Sequence, residues 1–256
     1  MNLLNRISCF IILTLILVPL MHATTFTLPS SIGTIKGAFV QYKDANTVSV
    51  SIGYGEANGF HWEITSVTDY DVTESPIVDD FIYIYIDDSQ SSYPSVTLTD
   101  STTEPSWSSD KQGWYNGNDR CIGAIFWDSS TTAIEEFKSN GNKFFFISTK
   151  TLASGLNPNG SYQATTTDAD TLTPVFAERL VVGGMIEDIG SQCRFFIRPF
   201  ELNRHIVGGT GYNEFSVVGL WLETGSADRS VEIQGDDDDD DGSLDCWLYG
   251  FEIERG

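Results

Sequence analysis

Phe81-Ile82-Tyr83-Ile84-Tyr85-Ile86 is the most regular run in this chain of 256 residues. Isoleucine holds every second position, and aromatic residues hold the positions between. Successive side chains of a strand point to opposite faces, so both faces of this run are apolar. The run predicts a central strand buried on both sides, with the tyrosine hydroxyls reaching partners or water. Asp87-Asp88-Ser89 ends it. On its N-terminal side, Thr47-Val48-Ser49-Val50-Ser51-Ile52 alternates polar and apolar, the pattern of a strand with one wet face. Ala38 to Tyr42 reads as its partner across the turn Lys43-Asp44-Ala45-Asn46. Asn58-Gly59 is a hairpin signal before a strand from Phe60 to Ile64.

Further strands are expected at Ile122 to Trp127 and Lys143 to Ile147, with Thr132 to Lys138 a short helix or turn. Between residues 154 and 177 the composition changes to Asn157-Pro158-Asn159-Gly160 and a Thr/Asp/Ala-rich stretch, which reads as a linker or long loop. Beyond it, strands are expected at Arg179 to Ile186, Cys193 to Arg198, Phe215 to Leu222, Ser230 to Ile233 and Leu244 to Glu254. In the last, Trp247, Tyr249, Phe251 and Ile253 share one face. Trp62, Trp127, Trp221 and Trp247 fall in strand patterns and are assigned to cores. Short strands punctuated by Gly- and Asn-rich turns give an all-β class. The expectation is two antiparallel β-sandwich or jelly-roll-like domains, residues 24–153 and 178–256, joined through 154–177.

Residues 1–23 stand apart. Arg6 precedes an apolar run from Ile7 to Leu20, and Ala23 supplies a small residue for cleavage. That is the layout of a secretory signal peptide, and the run is short of the roughly 20 residues a membrane helix needs. The mature chain is expected to be secreted, extracellular or periplasmic, and not membrane-spanning. The whole chain carries 36 acidic against 14 basic side chains, a formal net charge of −22, and loss of Arg6 with the leader makes it slightly more negative. Such a surface is repelled by phosphate backbones and anionic lipids, which excludes nucleic acid as a partner. Cys121, Cys193 and Cys246 remain after cleavage, an odd number. A Cys193–Cys246 disulfide with Cys121 as a buried thiol is one arrangement, and three unpaired thiols is the other.

Asp236 to Asp241 is an unbroken acidic run closed by Gly242. Asp237, Asp239, Asp241 and Asp245 fit the opening of a Ca²⁺ loop, with acids at alternate positions around a turn glycine. Leu248 stands where the closing Glu belongs, so a solvated hairpin tip is the competing reading. Asp119 and Arg120 are expected to form a structural ion pair. Trp107, Trp114 and Tyr115 lie in a Ser/Asp/Gly-rich stretch and are the candidates for stacking on a ligand, sugar rings in particular. His61 and His205 are not spaced as a metal pair, and no nucleophile elbow or phosphate-cradling loop is present. No cofactor is called for, and the chain reads as non-catalytic.

Lys36-Gly37-Ala38-Phe39-Val40-Gln41-Tyr42, running through Thr47-Val48-Ser49-Val50 to Gly53 and Gly59, resembles a segment of many bacteriophage and prophage virion proteins. Pro105-Ser106-Trp107, Lys111-Gln112-Gly113-Trp114-Tyr115 and Asp119-Arg120-Cys121-Ile122-Gly123 resemble a second such segment. The likeness spans roughly residues 33–147. It implies a tail-fibre-like or structural β protein that meets a host surface or partner subunits and assembles as a homotrimer. The leader departs from the cytoplasmic assembly of tail proteins and fits a domain recruited for secreted use. The expected function is surface recognition or assembly, with glycans or appendage subunits as partners. The alternatives are a secreted carbohydrate-active enzyme, in which two carboxylates do the chemistry, and a purely structural appendage or coat subunit.

Overall fold

The run at residues 81–86 sits where its two apolar faces require, at the heart of a sheet. The computed structural model describes residues 33–157, 161–165, 167, 169–187, 193–199, 206–211, 214–221, 231–236 and 243–255. The leader, His205 and Asp237, Asp239 and Asp241 fall outside them. Strand β7 (Asp80–Ile86) lies between β8 (Leu98–Ser101) and β11 (Asp119–Asp128). Strands β10 (Gly113–Asn116) and β9 (Ser106–Ser108) extend this sheet to one edge, and β12 (Ala133–Ile134) also pairs β11. Ile82 faces Ile125 and Phe81 faces Phe126 across the ladder. Tyr85 donates its hydroxyl to the Thr103 carbonyl at 2.6 Å, the partner a buried phenol needs.

Two small sheets pack beside it. One orders β1 (Ile35–Gly37), β4 (Gly53–Ala57) and β5 (Phe60–Ile64). The other orders β2 (Val40–Tyr42), β3 (Thr47–Val50) and β6 (Thr68–Asp71). The segment after β6 is pinned by Asp100, a buried carboxylate. It accepts the Tyr70 hydroxyl, the Thr73 hydroxyl and the backbone N–H groups of Thr73 and Glu74, at 2.6–2.8 Å.

A five-stranded sheet runs β13 (Phe137–Asn140), β14 (Lys143–Leu156), β21 (Ser243–Ile253), β16 (Ala177–Glu187) and β19 (Glu214–Trp221). The fifth sheet orders β15 (Gln163–Ala164), β20 (Val231–Asp236), β17 (Cys193–Pro199) and β18 (Ile206–Gly211). The chain is all-β in multiple antiparallel sheets, and a 3-10 turn at Ala169–Leu172 is the helical piece among the described residues. No helix there is long and apolar enough to cross a membrane.

The stretch 154–177, expected as a linker between domains, behaves differently. β21 inserts between β14 and β16, so backbone pairing joins the segments on either side of it. Phe176 is buried, 5.8 Å from Tyr83. Residues 32–256 form one compact unit. Within the stretch, Thr165 and Thr173 are buried polar residues whose hydroxyls donate to the carbonyls of Thr167 and Ala169. The face expected for Trp247 and Tyr249 is also corrected. Leu244, Cys246 and Leu248 point inward, and the pairing with β16 skips Tyr249, so Phe251 and Ile253 take over the buried face. A bulge shifts side-chain phase by one residue, and period-two reading cannot see it.

Candidate ligand-binding cleft

The β21 terminus, the start of β16 and the β13–β14 hairpin tip converge on a cleft of about 430 Å³. That lies within the roughly 300–1,000 Å³ of small-ligand sites. Phe39, Asn142, Glu178, Glu254 and Arg255 supply its aromatic, amide and charged lining. Asn142 is fixed by donating to Glu252 Oε1 at 3.1 Å and to the Ile253 carbonyl at 3.3 Å. Glu178 owes its place to a bulge: Ala177 faces Ile253 and Arg179 faces Glu252, so the register skips Glu178. Such a bulge re-aims a side chain, and this one turns a carboxylate toward the cleft that Glu254 also lines.

Glu252 is engaged by Arg179 at 3.7 Å and Lys143 at 4.0 Å. Among the described residues, neither Glu178 nor Glu254 has an ion-pair partner. Burial first, and the Glu178 charge second, raise the Glu254 carboxyl above the ordinary carboxylate range. The Trp114 indole acts in the opposite direction, though its N–H is not in hydrogen-bond geometry.

Two guanidinium groups held by carbonyls, Arg255 in the cleft wall and Arg120 behind it, brace this region. Arg255 donates to Gly37 O at 2.6 Å, Ala38 O at 2.7 Å and Ile122 O at 3.1 Å, and lies 4.8 Å from the Phe39 ring centre. Burial brings its pKa down to about 10. Arg120 is fully buried and donates to Gly33 O and Arg255 O, both at 2.7 Å, and more weakly to Gln112 O at 3.4 Å. The expected Asp119–Arg120 ion pair is therefore corrected. Neighbours along a strand point to opposite faces, and Asp119 instead accepts the Asp88 backbone N–H at 2.9 Å.

Of the three aromatic candidates, Trp107 is 41% exposed on edge strand β9. Trp114 and Tyr115 are buried, a correction to their expected display. Trp107 meets Trp114 edge-on at 5.6 Å, and the Tyr115 ring lies against Lys111 and Arg120 at 4.7 and 5.0 Å. Pairing within the β9–β10–β11 ladder buries residues that composition alone places in a loop.

Of the candidate calcium ligands, Asp245 is described, and its Oδ1 accepts the Gly155 N–H at 3.0 Å. The described residues hold no cluster of three His, Cys, Asp or Glu suited to a metal ion. Cys121 and Cys246 are free buried thiols, each pushed up to about 12 by burial. The Cys193–Cys246 bridge is thus not formed: Cys193 opens β17, in a different sheet from Cys246, and its side chain lies outside the described residues. Sequence reasoning missed Asn142, Glu178, Glu254 and Arg255 as site residues. A charged Glu178 interrupting an apolar strand was the one signal available for them.

No family model matches the chain, and no curated protein does. A solved structure described as domains CD (residues 230–489) is 13% identical over 85% of this chain and 99% of that one, with a TM-score of 0.20. A likeness at that level carries no argument about fold or function.

Proposed function

We propose that this chain is an exported, non-catalytic recognition protein that binds a neutral saccharide in the cleft beside Glu178 and Glu254. The observation that carries this is the make-up of the cleft, an aromatic ring, an amide, a carbonyl-held guanidinium and two carboxylates that have no ion-pair partner among the described residues. Carboxylates and amides accept and donate to sugar hydroxyls, and an aromatic face packs on the apolar face of a pyranose. The net charge of −22 disfavours phosphorylated or sulfated ligands. The likeness to virion proteins suits display to a cell surface, as a trimer. The test is a glycan array probed with the mature protein, then calorimetry on the hits with Glu178→Ala. Binding of a neutral glycan, weakened at least tenfold by Glu178→Ala, is expected. An array without neutral hits sinks the reading, and light scattering that gives a monomer removes the trimer.

The raised Glu254 carboxyl beside a second carboxylate favours one alternative, a secreted carbohydrate-active enzyme. Glycoside hydrolysis uses one protonated and one ionised carboxyl group. Release of reducing ends from a polysaccharide, abolished by Glu254→Gln, would replace the non-catalytic reading with this one.

A further inference from the structure

We propose that Lys150 and Glu135 become joined by an amide bond between Nζ and Cδ, closing residues 135–150 into a covalent ring. This is a modification site independent of the cleft, and it does not rest on the saccharide reading.

Glu135 follows β12, and Lys150 lies in β14. Their amine and carboxylate are in ion-pair contact, with side chains 21% exposed for Lys150 and 12% for Glu135. The surroundings are unusual for two charges. Glu135 is the one polar residue lining a small cavity whose walls include six phenylalanines. The Lys150 amine sits over two of them, 4.4 Å from the Phe126 ring centre and 5.5 Å from that of Phe146. The backbone holds both sides in place: Glu135 N–H donates to Phe126 O at 2.9 Å, and Ile147 N–H to Glu136 O at 3.1 Å.

Burial raises the Glu135 carboxyl above its ordinary value, even with the Lys150 ammonium beside it pulling the other way. The apolar cage makes a charged carboxylate costly at Glu135. Transfer of one proton from ammonium to carboxylate gives a neutral amine and a neutral acid, the couple from which an amide forms. The Nζ lone pair attacks Cδ. The C–OH bond then breaks, and the hydroxyl leaves with an amine proton as water. The condensation balances with no oxidant, reductant or co-reactant. Holding the two groups in contact makes the reaction intramolecular, and well-oriented pairs of this kind reach effective molarities of about 10⁵–10⁸ M. The product replaces a desolvated ion pair by a neutral amide, which the cage accommodates at less expense.

The measurement is mass spectrometry of the purified chain in denaturant, with tryptic mapping. The wild-type protein is expected one water molecule lighter than its sequence. Its tryptic fragment ending at Lys138 should be linked to the fragment beginning at Phe144, without cleavage at Lys150. Lys150→Arg, which keeps the cation, should have full mass and yield separate fragments. Recovery of the wild-type fragments unlinked and at unmodified mass overturns the proposal. That result is read on the wild-type chain, so misfolding of a variant does not obscure it.

Discussion

Replacing Gly113 by alanine should unseat a buried arginine. A Cβ on Gly113 falls 0.9 Å from Arg120 Nη1, 2.0 Å from Cζ and 2.5 Å from Nη2. The guanidinium has no room to yield, because it is tied to Gly33 O and Arg255 O at 2.7 Å each and lies against the Tyr115 ring. The new methyl group therefore expels it. Two charge-assisted hydrogen bonds are lost, at about 1.5–3 kcal/mol each, or about 3–6 kcal/mol together. Breaking up a buried charged group by mutation gives a similar figure, about 3–5 kcal/mol. For a domain of this size each kcal/mol shifts Tm by about 2–4 °C, so a fall of about 6–24 °C is expected. Urea and thermal denaturation of Gly113→Ala, Arg120→Ala and the double variant measure it. Once Arg120 is gone the clash is gone, so the double variant should be no less stable than Arg120→Ala. Strictly additive losses, or a Gly113→Ala protein that melts within about 2 °C of wild type, would refute the reasoning.

Asp100→Ala strips the loop after β6 of four hydrogen bonds and should lower stability by about 2–4 kcal/mol in urea titrations; a loss below about 0.5 kcal/mol counts against this account. The Glu254 carboxyl is raised in the folded state, so its contribution to stability is complete below the ordinary carboxylate range and is lost as pH rises through the folded value. Glu254→Gln should flatten the fall in stability that sets in as pH rises above the ordinary carboxylate range, and an unchanged curve shows that the group is not the source. Cys121 and Cys246, buried and free, should resist alkylation in the native protein and react on unfolding. Peptide mapping that finds either labelled under native conditions contradicts their burial.

Where burial follows strict alternation, the sequence was a good guide. Val48 and Val50 point inward with a period of two, and Ile82, Ile84 and Ile86 are buried with the aromatics between them. Where a bulge or a long-range pairing intervenes, it was not. Nothing local marks Tyr249 or Glu178 as the residue a ladder skips, because a skip is set by the partner strands. The insertion of β21 between β14 and β16 is likewise a contact between segments far apart in the chain, invisible to a window of a few residues. Trp114 and Tyr115 were legible as a functional cluster by composition and are buried by pairing. Arg120 was legible as structural, but its acceptors are carbonyls of distant segments, which no side-chain pattern encodes.

Those carbonyls connect the fold to the cleft. Arg255 reaches Gly37, Ala38 and Ile122, and its own carbonyl receives Arg120. Glu254 is the adjacent residue, and its N–H donates to Phe176 O at 3.0 Å. The backbone that presents the Glu254 carboxyl is thus held by the Arg120 guanidinium, by the Phe176 carbonyl and by the three carbonyls that receive Arg255. A site on rigid elements keeps its geometry only as well as its supports do. Loss of Arg120 should therefore loosen the cleft as well as the core. The cleft lies where the two arginine-held segments meet, and the carbonyls that receive both guanidinium groups offset part of a desolvation cost that apolar side chains at the same positions would not carry.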